Sequence, residues 1–556
     1  PLPFERILIG TQRRRKEIDP PIPGRQTRYL LKGFSLERRD AAKSLSILPF
    51  LADRRADDQN IYQSIGVEPI INCRGTFTII GGSVELPEVL AAMDAASGYF
   101  VQYDELAIAV GERLAKITGA EWGLISSGCA AGMKHVTIAC VTGGNPEKLI
   151  RIPDLTGLDK TQVIVPRYSR TAYDHALRNV GVEIVMVETP EELQQAINPR
   201  TAMIYIVTGG GSASGQPLSL EVIAEIAKPR GIPILADAAA ENLTIPCLHL
   251  EQGATVVTYS GGKALCGPQC AGLVLGRKDI LMSAWQASSP HHGPGRDDKS
   301  GKEEIMGMLA AVEAWITRDH AAEWQSWLGL LENISKRVTE ISDVTTSVEE
   351  RTGLSNRSPT LTISWDPTAL NITGEEVAED FARKTPRIAV GSGDEEGSAS
   401  IRITPSQMQP GDDAVVAERV HRILSGKRRP RSTALKPADV DLSGRWDLTV
   451  DYFSSSSSQR WSISQDGNWI EGIHESEFSV QEISGVVEGN QVKLRSEMRK
   501  PESSVPFLFS GEASGDSISG SIHLGEYLTA TFTAERSSRR SPRRPISIPG
   551  GPPLAT

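Results

Sequence analysis

From residue 61 to about 315, short apolar runs alternate with amphipathic ones, and this alternation restricts the fold more than any other feature of the chain. The apolar runs lie at 123–126, 162–165, 182–187, 202–207, 232–236, 254–259 and 271–275. Helical periodicity marks 85–97, 104–118, 130–142, 171–180, 190–197 and 220–228. Apolar runs this short and continuous are strands buried on both faces. Interleaved with helices, they predict a mostly parallel sheet covered by helices on both sides. Ligands of such sheets bind beyond the carboxyl ends of the strands. Residues that follow the strands are therefore the candidates for chemistry.

Two of these strand ends carry matching groups. The run at 232–236 leads into Asp237, and three small residues, Ala238-Ala-Ala240, follow it. The run at 254–259 leads into Ser260-Gly-Gly-Lys263, a lysine in a glycine-rich turn. A P-loop is excluded, because its spacing needs Gly at position 257 and Ser or Thr at 264, where Val257 and Ala264 stand. A strand-end Asp and a strand-end Ser-x-x-Lys are what a pyridoxal-phosphate site requires. The lysine amine holds the cofactor aldehyde, and the carboxylate keeps the pyridine nitrogen protonated. Lys263 and Asp237 are the predicted catalytic pair, with Ser260 donating to the cofactor phosphate and Gly261 and Gly262 allowing close backbone approach. The strand–helix junction at Ser127, Gly128 and Cys129 is the second phosphate candidate, because a helix N-terminus presents free N–H groups. Tyr168, Tyr173 and His175 are alternatives for the group that covers the pyridine ring.

Substrate contacts are expected from three places. The glycine-rich loop at 208–215, with Ser212, lines the pocket or lies on the surface. The polar stretch at 291–304 offers Arg296 and Lys302 to an anionic group of the substrate or of a partner subunit's cofactor. Arg402 could clamp a substrate carboxylate. The His291-His292 pair lacks any supporting carboxylate–histidine spacing, so no metal site is predicted.

The remaining chain divides by texture. Residues 1–60 read as an arm, 61–320 as the large cofactor-binding domain and 321–428 as a small α/β domain with strands at 360–364, 387–390 and 400–403. A linker at 429–440 follows. From 441 to 536 helical periodicity vanishes. Alternating segments, separated by Gly-containing turns at 465–468, 488–490 and 514–516, predict a small antiparallel barrel or sandwich. The tail at 537–556 reads as disordered. With a formal net charge of −10, the chain lacks the basic balance of a nucleic-acid binder. Its basic runs at 13–16, 427–429 and 539–544 sit in arm, linker and tail. Six cysteines without C-x-x-C spacing fit reduced thiols and a cytoplasmic protein, and no run is long enough to span a membrane.

Five segments together resemble a known group: Ile71-Asn-Cys-Arg-Gly-Thr76, Ser127-Gly-Cys-Ala-Ala-Gly132, the Asp237 strand, Ser260-Gly-Gly-Lys263 with Gly267-Pro-Gln269, and Gly301-Lys-Glu-Glu304. They are similar to the selenocysteine-synthase-like enzymes, which include L-seryl-tRNA(Sec) selenium transferase and the D-glucosaminate-6-phosphate ammonia-lyases. The resemblance covers about residues 61–425. It implies fold type I, pyridoxal 5'-phosphate as cofactor, a site at a subunit interface of a homodimer or higher homo-oligomer, and a lyase that removes a Cα proton and a β-substituent to give a 2-keto acid and ammonia. The lyase branch often carries a basic residue where this chain has Cys266, so the resemblance leaves open whether the substrate is phosphorylated. A selenium-transferase-like activity is the first alternative, although the acidic chain and short arm disfavour tRNA. A fold that has lost catalysis and acts as an interaction protein is the second.

Overall fold

The computed structural model describes residues 60–209, 215–395, 397–430 and 434–538. The predicted arm (Asn60 apart), Ser212 and the tail beyond residue 538 lie outside the described residues. The chain divides at Val67 into two compact units. The described part of the first is a 3-10 turn, Gln63–Ile65, closed by Gly66 at φ 80°. All that follows concerns the second.

Its centre is a seven-stranded sheet in the order Trp122–Ser126, Gly272–Gly276, Val256–Ser260, Ile234–Asp237, Thr201–Val207, Gln162–Pro166, Glu183–Val187. Neighbours from Val256–Ser260 to Glu183–Val187 run parallel, and Gly272–Gly276 alone is antiparallel to both of its neighbours. The continuous apolar strands feed two cores by alternation. Ile164, Ile204, Ile234, Val257 and Leu273 pack on one face. Val163, Met203, Leu235, Val256 and Val274 pack on the other. Helix Gly128–Thr142 lies so close to the sheet that a Cβ on Gly272 would sit 2.5 Å from the carbonyl carbon of Gly128.

Helix Lys302–Thr317 leads out of this layer and helix His320–Val338 into the small α/β part. There, four antiparallel strands run in the order Gly391–Glu395, Ser398–Ile403, Pro359–Trp365, Val344–Glu350. The first and last of these escaped the sequence reading, because Gly391–Glu395 has few apolar residues and Val344–Glu350 is largely exposed. The strand expected at 387–390 is not in this sheet. Arg387–Ala389 pairs in parallel with Ile70–Asn72, some three hundred positions away, a contact that local periodicity cannot encode.

The C-terminal region is a closed barrel, which settles the choice between barrel and sandwich. Its eight strands run from Gly444–Asp451 to Thr529–Arg536, each antiparallel to the next, and the last pairs with the first. Gly467, Gly489 and Gly515 take φ near 60° in two-residue hairpin loops, the geometry that a twisted hairpin favours. Trp446, Trp461, Phe509 and Phe532 help to fill the interior, as expected for a barrel of this strand number.

Candidate active site

Asp237 ends its strand with its side chain 6% exposed. Tyr205, on the neighbouring strand, donates to Oδ2 at 2.8 Å. The Ala239 amide and the Cys129 thiol donate to Oδ1 at 3.0 and 3.5 Å. Burial, then the charge of Asp237, pushes both the Cys129 thiol and the Tyr205 phenol upward, so both stay protonated and donate. An ionised carboxylate offers about four acceptor positions. Three are used here, which leaves one for a further N–H.

Lys263 stands three residues beyond strand Val256–Ser260, half-buried. Among the described residues its Nζ has no hydrogen bond or ion pair. Asp237 ends the parallel neighbour of strand Val256–Ser260, so the lysine and the carboxylate both lie at the carboxyl end of the sheet. Lys263 also opens into a cavity of about 1990 Å3 whose walls include Arg74, Tyr173, Asn242, Arg318 and Arg402.

Helix Gly128–Thr142 begins beside Asp237. Ser127, its N-cap, makes no side-chain capping bond, so the N–H groups of the first turn have no side-chain acceptor. Ser126 Oγ holds the Gly128 carbonyl at 2.8 Å and fixes the entry to the helix. Ser127, Gly128, Cys129 and Asp237 thus lie together at the carboxyl end of the sheet, where Lys263 follows the next strand and, unlike them, lines the cavity. Ser260, half-buried, closes the strand that leads to Lys263. Free helix-terminal donors for an anion, one open acceptor position on a buried carboxylate and an unpaired amine fit pyridoxal phosphate.

The glycines before Lys263 have a packing role that sequence reading did not foresee. A Cβ on Gly262 would stand 2.0 Å from Gln269 Oε1, and one on Gly261 would stand 2.6 Å from both the Ala271 carbonyl and Met308 Sδ. The Gly-Pro-Gln segment folds back on the lysine turn and leaves no room for side chains. Arg318 secures the same turn from outside. Its Nη1 donates to the Ala264 carbonyl at 3.0 Å, and its other nitrogens hold Glu323.

Other predicted residues are placed differently. Tyr168 donates to the Leu218 carbonyl at 2.6 Å, and burial pushes its phenol up to about 12. Tyr173 is in the cavity wall, whereas His175 is exposed at the start of a one-turn helix and outside that wall. Arg402 is in the wall, with Nη2 on the Ser392 carbonyl at 3.2 Å. Arg296 is exposed and Lys302 pairs with Glu303, and neither lines the cavity of its own chain. His291 is used locally, between Asp104 and the Trp285 carbonyl. Among the described residues no cluster of His, Cys, Asp and Glu could hold a metal ion. Sequence reading missed Tyr205 and Thr258, whose hydroxyl donates to Cys129 Sγ at 3.4 Å. Each is a hydroxyl fully buried in the central sheet, and such a group demands a polar partner.

Residues 174–347 match the aminotransferase class-V family. The chain is 30% identical to D-glucosaminate-6-phosphate ammonia lyase of Salmonella typhimurium over 300 residues, 52% of this chain and 78% of that one. The chain belongs to the selenocysteine-synthase-like group of fold-type-I pyridoxal-phosphate enzymes. The enzyme is also 27% identical to 5'-C-glycyluridine monooxygenase-decarboxylase of a Streptomyces species, over 67% of this chain and 94% of that one. It is 24% identical to L-seryl-tRNA(Sec) selenium transferase of Moorella thermoacetica, over 58% and 72%. A solved D-glucosaminate-6-phosphate ammonia-lyase superposes with a TM-score of 0.59 at 26% identity, covering 66% of this chain and 98% of that one. The enzyme's cofactor is pyridoxal 5'-phosphate. Among the described residues no helix is long and apolar enough to cross a membrane.

Proposed function

We propose that this enzyme is a lyase acting on an amino acid or amino-sugar acid, by Cα proton removal and β-elimination. The observation that carries the reading is the Lys263 amine, which has no hydrogen bond or ion pair among the described residues and lines the cavity, at the sheet end where the neighbouring strand closes on Asp237. When bound, pyridoxal phosphate supplies an electron sink for the carbanion left at Cα. Asp237 would accept the N–H of the pyridine ring on its open acceptor position. The first turn after Ser127 holds the phosphate on backbone N–H groups, and Ser260 adds a hydroxyl. Lys263 would hold the cofactor at rest and, with its amine free, would take the Cα proton of the substrate. Loss of a β-hydroxyl then leaves an enamine, which water converts to a 2-keto acid and ammonia.

Arg402, in the cavity wall, receives the substrate carboxylate in this reading. Arg296 and Lys302, outside their own cavity, suit a role in the partner site of a homodimer. The unpaired state of all six cysteines supports a reducing, cytoplasmic setting.

Borohydride reduction of the purified protein, followed by peptide mapping, tests the assignment. The reduced cofactor should be found on Lys263, and Lys263→Ala should release no ammonia from β-hydroxy amino acids or amino-sugar acids that the wild type consumes. An adduct on another lysine, or undiminished ammonia release by the variant, would overturn the assignment.

A further inference from the structure

Residues 167–178, which contribute Tyr173 to the cavity wall, have little regular structure of their own. They consist of two 3-10 turns, Arg167–Ser169 and Ala172–Asp174, and the one-turn helix His175–Arg178. Such short turns have few backbone hydrogen bonds with which to hold their shape. Side chains supply the rest. Asp174, fully buried, accepts from Arg170 Nε at 2.5 Å and from Arg178 Nε at 2.8 Å. Tyr173, the neighbour of Asp174, is the residue of this stretch that enters the cavity wall.

The fourth charge of this cluster comes from the barrel. Strands Gln491–Arg499 and Ser504–Ser514 are joined by the turn Lys500-Pro-Glu-Ser503, in which the Lys500 amide donates to the Ser503 carbonyl at 2.8 Å. Pro501 stiffens this tip. Glu502 projects from it and accepts from Arg170 Nη2 at 3.0 Å, with Arg178 Nη2 at 3.7 Å. The side chains of Arg170 and Glu502 are only 7% and 12% exposed. Two arginines and two carboxylates balance in a nearly dry site. Without Glu502, Arg170 keeps its charge and loses one of its two acceptors, and that site punishes an unmatched charge.

We propose that the barrel is a positioning module for the active site. Glu502 locks residues 167–178 and so sets Tyr173 in the wall of the Lys263 cavity. Glu502 is a positioning residue that acts through Arg170 and Asp174. This role is independent of which reaction the enzyme performs, and it gives the barrel a function within the same chain.

Hydrogen exchange on the full-length holoenzyme tests it, together with the visible circular dichroism of the bound cofactor. In Glu502→Ala the amides of 167–178 should exchange roughly tenfold faster or more, as expected for loss of a buried charge partner. Barrel-strand amides should not change. The cofactor's dichroic band should shrink, because the wall around it is no longer fixed. Glu502→Gln, which keeps an acceptor oxygen for Arg170, should recover part of both signals. Glu482→Gln, an exposed change on the same barrel, should leave both as in the wild type. Unchanged exchange at 167–178, or acceleration shared by the whole seven-stranded sheet, would overturn the proposal. An unaltered dichroic band alongside faster exchange would remove the link to the active site.

Discussion

His474→Gln should change how the barrel responds to pH. His474 is fully buried on strand Trp469–Glu475. Its Nδ1 lies 2.7 Å from Ser496 Oγ and its Nε2 2.7 Å from Gln459 Oε1. Gln481 approaches Nδ1 at 3.1 Å. The rings of Phe507 and Phe509 meet the imidazole edge-on, at centroid distances of 5.1 and 5.5 Å. All of these neighbours are neutral, so nothing compensates a positive ring, and burial pushes its pKa down from 6.5 to about 4. The unfolded chain therefore binds a proton, in the window between those values, that the folded barrel refuses. The stabilisation is complete above the unfolded value and is lost as pH falls toward the folded one. Between about pH 7 and about pH 5 the unfolded state takes up nearly one proton at this site, which costs about 2 kcal/mol. Hydrogen exchange of amides in Ser456–Asp466 and Trp469–Glu475, corrected for intrinsic rates, reads this as a fall in opening free energy. His474→Gln lowers the starting stability, because the ring packing is lost, but should remove this part of the pH slope. An equal slope in the variant, or a wild-type loss below about 0.5 kcal/mol, would refute the reasoning.

Two further predictions concern the site. Tyr205→Phe removes the hydroxyl that donates to Asp237 at 2.8 Å. Denaturant unfolding of the cofactor-free enzyme should show a loss of about 1.5–3 kcal/mol, the range for a hydrogen bond to a charged group, and a change within error would mean that Asp237 does not depend on this donor. Gly262→Ala places a Cβ 2.0 Å from Gln269 Oε1 and 2.8 Å from the Gln269 Cα. It should cost about 1–3 kcal/mol and weaken cofactor uptake, whereas Gly329→Ala, in helix His320–Val338 with nothing within 4 Å, should stabilise by about 0.5–1 kcal/mol. Equal thermal shifts for the two alanines would contradict the packing argument.

Much of the catalytic layer was legible because its signals are local. Asp237 and Lys263 announce themselves as polar residues just past apolar strands, and the helix start at Gly128 follows a strand without a capping side chain. The hairpin loops of the barrel were equally readable, because Gly467, Gly489 and Gly515 sit where a tight turn needs positive φ. Tyr205 was not legible as a site residue. It looks like one more bulky member of a buried strand until Thr201–Val207 is set beside Ile234–Asp237 in register, with Tyr205 opposite Leu235 and Val207 opposite Asp237.

The amino-acid sequence alone determined the alternation of strands and helices, the placing of Asp237 and Lys263 just past two neighbouring strands, and the all-β character of the last region. Each depends on side-chain period or on one residue's backbone preference, and these are properties of neighbours along the chain. Tertiary structure alone decided closure of the barrel by strands some eighty residues apart, the pairing of Ile70–Asn72 with Arg387–Ala389, and the meeting of Glu502 with Arg170. Such contacts reflect which distant surfaces can be brought together and dehydrated at once, and that balance is struck only when the whole chain is folded.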